Sequence, residues 1–229
     1  MGLVGRLVES VGGSFSSELG IPLEKEKGVF KWFLASILFG ARINQTIAIN
    51  TFKEFEKEGI TSPDSILKLG WDGLVRILDN GGYVRYDFKT ADKLLEISRN
   101  LKKNYGGSLL RLKEESKSLK DLEDRLKALG KGIGEVTVNI FLRELREIWK
   151  VDPLPGNLTL LSAGNLGIIN PKESKRESLE RLKDFYKREF PKDISFIDFE
   201  SSLVRLGKDF CRKKRCRVCA LKSDCRKYR

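Results

Sequence analysis

Apolar residues recur every third and fourth position along most of this chain, and strict alternation is rare. The three-and-four pattern runs through residues 30–39, 43–55, 90–101, 119–129, 135–149, 174–190 and 194–210. It predicts helices that each bury one face. Turn chemistry supplies the boundaries. Ser62-Pro63 opens a short helix with proline at its first position, and Gly70 and Gly81-Gly82 punctuate the next two segments. Asp121 and Asp124 sit near the start of a helix that ends by Gly130. Residues 151–170, rich in Pro, Gly and Asn, read as mostly irregular. Trp32, Trp71 and Trp149 are assigned to the core. No repeat of fixed period occurs. The expected fold class is all-α.

Composition narrows the chemistry. Histidine is absent from the 229 residues, which removes the Ser-His-Asp triad, the Cys-His pair, His-ligated zinc and any imidazole base. The length fits one large domain or two small ones, and 40% apolar residues suffice for a core. Gln45 is the only glutamine and there is a single methionine, while Lys and Glu are abundant, a composition that hints at a thermophile. The longest apolar stretch, 29–49, is interrupted by Lys31, Arg42 and Asn44, so no membrane span is expected. The sequence MGLVGRLVESVGG lacks the apolar core of a signal peptide. A cytoplasmic, prokaryote-like location and no membrane partner are the expectation.

Charge is concentrated at one end. The chain carries 44 Lys plus Arg against 32 Asp plus Glu, a net +12. From Arg205 to Arg229 there are eleven basic residues and only Asp209 and Asp224 opposing them, so 11 − 2 = +9 of that +12 lies in the final stretch. A polyanion is the natural partner for such a segment, with salt-dependent affinity. All four cysteines fall in the same stretch, at Cys211, Cys216, Cys219 and Cys225, spaced C-x4-C-x2-C-x5-C. Disulfides are a poor reading without a secretion signal. Zinc commonly takes two CxxC knuckles across a longer loop. A single CxxC flanked by longer gaps suits a 4Fe–4S cluster better, with zinc the alternative.

A second local feature is Gly132-Ile133-Gly134, set between two helical patterns. Glycines there expose consecutive backbone N–H groups at a helix N-terminus, which binds phosphate without side-chain charge. Ile133 is expected to pack inward. Taken alone, the motif also describes a plain helical turn.

Together these segments resemble the helix-hairpin-helix DNA glycosylase superfamily, in its endonuclease III-like branch. The run from Leu129 through Gly132, Ile133, Gly134 and Thr137 resembles that family's L-x-G-I/V-G-x-x-T-A hairpin. Asp152, eighteen residues beyond Gly134, resembles the aspartate of its V-D element. The cysteines resemble its iron–sulfur loop, which normally reads C-x6-C-x2-C-x5-C. Residues 30–52 look like its first barrel helices, and Gly81-Gly82-Tyr83 like its G-x-Y loop. The likeness spans residues 28–229 in the family's order.

The resemblance implies a helical barrel domain with the hairpin at 30–140, a cluster domain made of 1–29 and 141–229, and a DNA cleft between them. It implies a monomeric base-excision repair enzyme that flips a damaged or mispaired base from duplex DNA and cleaves its N-glycosidic bond. Asp152 would be catalytic, stabilising a cationic sugar or activating water; the structural alternative is a turn or helix cap. Arg42 and Asn44 would read the orphaned base. Tyr83 and Val84, with Arg85, would wedge the opposite strand. Arg212, Lys213, Lys214 and Arg215 would meet phosphate.

Departures from the family pattern matter. Bifunctional members carry a lysine two residues past the second hairpin glycine; here Val136 stands there and cannot be a nucleophile. Hydrolysis without lysine-dependent strand cleavage is therefore expected. The first cysteine gap is four residues rather than six, and Pro153-Leu154-Pro155-Gly156-Asn157 comes after the aspartate where relatives carry polar residues. Two rivals stand beside this reading: a DNA-binding protein of the same fold that has lost excision, and a zinc-bearing nucleic-acid module of another fold.

Overall fold

The three-and-four spacing is realised as helix throughout. A computed structural model describes residues 2–189 and 191–228, and every regular element among them is helical. The expected helix end at Phe190 and the last basic residue, Arg229, lie outside the described residues. The chain divides into two compact units: a central one, Leu19–Asp152, and a terminal one that joins Met1–Glu18 to Pro153–Arg229.

In chain order, α1 (Leu3–Val11) and α2 (Phe15–Glu18) belong to the terminal unit. The central unit holds α3 (Glu26–Gly40), α4 (Gln45–Lys57), α5 (Pro63–Asn80), α6 (Asp87–Tyr105), α7 (Leu109–Glu114), α8 (Leu119–Ala128), α9 (Glu135–Glu144) and α10 (Arg146–Trp149). The terminal unit resumes with α11 (Asn157–Leu166), α12 (Lys175–Glu189), α13 (Phe196–Leu206) and a π-helical turn at Gly207–Cys211. Starts are written locally. The Ser62 hydroxyl accepts the Ser65 N–H at 3.2 Å with Pro63 in the first helical position. Ser118 caps α8, and Ser195 with Asp198 forms a reciprocal box at α13. Each such cap is worth about 1 kcal/mol.

In the central unit α5 lies along α6, and α9 packs on α3. Trp32 is fully buried and donates its indole N–H to the Phe141 carbonyl at 3.1 Å. Phe141 meets Phe33 edge-on at 5.1 Å and Trp149 edge-on at 5.4 Å. These rings tie residues 141–149 to α3, and so to the central unit. The terminal core gathers Leu7 of α1, Leu179 and Leu182 of α12, Phe199 and Leu203 of α13, and Leu221. Each such burial is worth about 1.5–3 kcal/mol. Arg205 fastens the N-terminal segment to α13. Its Nε donates to the Gly13 carbonyl at 3.0 Å, its guanidinium pairs with Glu18, and it lies 3.9 Å over the Phe15 ring.

Several sequence expectations are corrected. Residues 151–170 contain a helix, α11. Its Thr159, Ser162, Ala163 and Leu166 are buried, and with serine and threonine inside it never shows a clean apolar stripe. The stretch 135–149 is two helices, because Leu145 leaves the helical region at φ −93°, ψ 3°. The stretch 194–210 is α-helical only to Leu206 before widening into the π turn. Trp71 is not core: it is 37% exposed. Gly70 at φ +73° breaks α5 immediately before it and turns the face that the tryptophan presents. No helix among the described residues is long and apolar enough to cross a membrane.

Candidate functional site

The hairpin lies between α8 and α9. Leu129 and Ile133 are buried, so the turn is anchored by two apolar side chains while its glycines face out. Gly132 adopts φ +99°, a conformation that costs a residue with a Cβ. A Cβ there would also stand 3.0 Å from the Lys93 side chain of α6. The Lys131 N–H donates to Glu96 of the same helix at 3.3 Å. Gly134 starts α9 with no side-chain cap. The first amides of α9 therefore point outward past an exposed backbone, the arrangement that receives an anion. Glu135 in the first turn adds a negative charge that a phosphate would face. Val136 is 64% exposed and offers no nucleophile. Thr137 is buried.

Close approaches within the central unit bring one other loop to this turn and pack a second loop on α4. A Cβ on Gly40, the last residue of α3, would overlap the Thr137 hydroxyl of α9 and lie 3.3 Å from Thr137 Cα. The loop bearing Arg42 and Asn44 thus leaves α3 beside the first turn of the hairpin helix. A Cβ on Gly81 would overlap Thr51 of α4, and one on Gly82 would stand 4.0 Å from Ile47 near the start of α4. The Gly81–Arg85 loop is thereby packed on the helix that begins just after Asn44. Arg42 and Asn44 are exposed. The Asn44 side chain caps α4, accepting the Thr46 N–H at 3.0 Å. Tyr83 is only 5% exposed, and burial pushes its hydroxyl pKa up. Val84, Arg85 and Tyr86 form the exposed part of that loop, with the Arg85 guanidinium 5.4 Å from the Tyr86 ring.

The sequence did not point to an aromatic pair on the same unit. Trp71 and Phe88 lie 5.2 Å apart, both exposed, and the Trp71 indole donates to Asp92 at 3.0 Å. The only warning in the sequence was Gly70 directly before the tryptophan.

Asp152 ends the central unit and does not cap α11, whose cap is Gly156. Its Oδ1 lies 2.6 Å from Arg146 Nη1. A guanidinium N–H at that distance makes a charge-assisted hydrogen bond to the carboxylate. Arg146 was not singled out in the sequence, because its contact depends on how the chain turns after Trp149.

In the terminal unit the cysteine loop begins inside the π turn. Leu221 plants it in the core. Arg6 of α1 pairs with Asp224 at 2.6 Å, and the Arg226 N–H donates to the Asn165 carbonyl at 2.9 Å. All four cysteines are free and partly buried. Burial pushes the Cys211 thiol pKa up, opposed by a hydrogen bond with the Asn165 side chain. Burial likewise raises Cys219, opposed by the Leu221 backbone N–H. Cys216 and Cys225 raise both further, and Cys219 also raises Cys211. Among the described residues no three His, Cys, Asp or Glu side chains stand at metal-holding geometry. The donor chemistry nevertheless fits a thiolate-held centre: four thiols share one anchored loop, and two already receive hydrogen bonds. Arg212, Lys213, Lys214 and Arg215 are all exposed around it.

Compared with protein-family models the chain matches none, and no curated protein matches it.

Proposed function

We propose that the protein is a monofunctional DNA glycosylase: it draws a damaged or mispaired base out of duplex DNA and hydrolyses its N-glycosidic bond. The observation that carries the reading is that, in the central unit, the 41–44 loop leaves α3 beside an uncapped glycine hairpin while the 81–85 loop packs on α4, the helix that follows Asn44. In a unit that also bears a partly exposed carboxylate, Asp152, this supplies backbone amides for phosphate, side chains for the vacated stack, and an anion for the sugar.

The chemistry is then set by the residues present. As the glycosidic bond lengthens, positive charge develops on the sugar, and the Asp152 carboxylate stabilises that charge or takes a proton from the attacking water. Val136 leaves no amine to form a Schiff base, so water adds to the sugar, the base leaves, and the sugar stays in the strand as an intact abasic site. The duplex backbone is received by the hairpin amides and by Arg212, Lys213, Lys214 and Arg215. Arg42 and Asn44 lie on the loop that would face the orphaned base. In the other loop Val84 and Arg85 have the exposure a wedge needs, and Tyr83 supports them from the core. Cys211, Cys216, Cys219 and Cys225 would hold a 4Fe–4S cluster, or zinc as the alternative. Such a group would cross-link the basic loop when bound. The reading includes a helical barrel, a cluster domain and a duplex-binding cleft.

The deciding experiment is a panel of lesion and mismatch duplexes, each treated with alkali after incubation to reveal abasic sites. Parent protein is expected to release base from at least one duplex, and Asp152→Asn to bind that duplex but release nothing. Full activity in Asp152→Asn, or strand scission without alkali, would refute the mechanism. Binding without release across the whole panel would instead favour the non-catalytic reading.

A further inference from the structure

Asp152 is held by a cation that no motif in the sequence marks. Arg146 is only 6% exposed on its side chain, Asp152 is 44% exposed, and 2.6 Å separates Nη1 from Oδ1. An ion pair between two mobile side chains contributes little, because both must be ordered to form it. Here the cation is ordered in advance. Arg146 opens α10, and the N–H groups of both Lys150 and Val151 bond back to its carbonyl, the latter at 3.1 Å. Lys150 sits at φ +52° to allow that reversal, a left-handed backbone that a lysine adopts at a cost. Trp149, buried edge-on to Phe141, fixes the floor of the turn. The chain thus folds back so that the residue gripping Lys150 and Val151 by its carbonyl also grips Asp152 by its guanidinium.

We infer that Arg146 is a positioning residue: it fixes the orientation of the Asp152 carboxylate. This rests on the reading of Asp152 as the hydrolytic carboxylate. A nearly buried guanidinium is costly to leave unpaired, and Asp152 is a partner it holds at 2.6 Å. The partly exposed side of the carboxylate then meets the reacting sugar with its direction already set. Preorganised charge is worth more in the transition state than charge that must be turned into place. With no lysine at Val136, the carboxylate is the one charged group the proposed reaction uses, and its direction matters accordingly.

The test measures single-turnover base release and duplex Kd for the full chain on the duplex identified by the panel. The variants are Arg146→Gln, which keeps a donor but loses the charge, and Arg146→Lys, which keeps the charge. Arg146→Gln is expected to slow release about 100-fold, as removal of a preorganised electrostatic contact does, with Kd within about twofold and helical circular dichroism retained. Arg146→Lys is expected to recover at least about tenfold of that loss. The inference is overturned if folded Arg146→Gln releases base within about threefold of parent, if Kd worsens in step with the rate, or if Lys is no better than Gln. Should the Gln variant fail to fold, the Lys variant decides. A rate more than about threefold below parent at parental Kd supports the inference, and a parental rate overturns it. Failure of the underlying reading looks different. If Asp152→Asn releases base at the parental rate, or the parent releases none, the reading falls and takes this inference with it. If Asp152→Asn is inactive while Arg146→Gln is as fast as parent, only this inference falls.

Discussion

Gly40→Ala tests whether α3 and the hairpin helix are held as closely as the backbone places them. A Cβ at Gly40 would overlap the Thr137 hydroxyl and press on Thr137 Cα and Cβ at 3.3 Å. Thr137 is buried, and as a β-branched residue in a helix it has few rotamers to escape into. Overpacking of this kind costs about 1–3 kcal/mol. Against it stands a gain of about 0.5–1 kcal/mol from replacing glycine by alanine in a helix. The clash outweighs that gain over most of the range, leaving a net loss of up to about 2.5 kcal/mol, or up to about 10 °C in Tm at this size. Thr137→Ala removes the overlapping hydroxyl but keeps Cα and Cβ at 3.3 Å, so in that background most of the Gly40→Ala penalty should disappear. The expected coupling is about 1–2 kcal/mol. Urea unfolding followed by tryptophan fluorescence reads the right unit, since Trp32, Trp71 and Trp149 all lie within Leu19–Asp152. If the two Gly40→Ala penalties agree within about 0.5 kcal/mol, the additivity limit for independent sites, the close approach is refuted.

Two further outcomes are expected. Duplex affinity should fall steeply with salt, and replacing Arg212, Lys213, Lys214 and Arg215 by Gln should lower the slope of log K against log salt by about 3–4, near 0.9 per lost phosphate contact. An unchanged slope would show that these side chains do not meet DNA. On the acid side, Asp121 is held below the usual carboxylate range chiefly by the Lys117 backbone N–H, donated at 2.9 Å, and also by Arg125. A carboxyl with a depressed folded pKa contributes stability above its ordinary value, and the contribution is lost as pH falls through the lower folded value. The stability gap between parent and Asp121→Ala should therefore be full at pH above about 5 and should close as pH falls below about 4. Urea midpoints at several pH values measure it, and a gap that does not vary with pH would contradict this account.

Features that live in local spacing were legible; those that depend on where the chain turns were not. The hairpin was readable because Ile133 must be buried and its glycines exposed for the turn to close, and both are so. The cysteines were readable because four thiols so close in sequence are already a donor set. α11 was missed because Pro, Gly and Asn flank it and its buried side includes Thr159 and Ser162, which blur any apolar stripe. The exposure of Trp71 was missed because Gly70, written as punctuation, also rotates the helix beyond it. Gly40 and Gly81 carry the same lesson. In sequence Gly81 reads as punctuation and Gly40 carries no signal, whereas in space each lacks a Cβ where another backbone approaches. Arg146 was invisible because its contact with Asp152 needs the left-handed Lys150 between them.

Charge and geometry are divided unequally along the chain, and the division has a consequence under the proposed reading. The last stretch supplies +9 of the +12, mostly on exposed side chains around the cysteines. Such charge acts at Debye-length range and does not distinguish sequences, so it sets how fast and how salt-dependently a duplex is found. The central unit carries little net charge by comparison and works at contact range, through amides, close-packed glycines and one oriented carboxylate. Damage to the basic loop should therefore weaken every duplex alike and leave the rate of base release on bound DNA intact. Damage at Arg146 should do the reverse. A protein without histidine has few groups that change charge near neutral pH. Under the proposed reading its specificity then comes from shape and its catalysis from a carboxylate whose direction Arg146 sets before the substrate arrives.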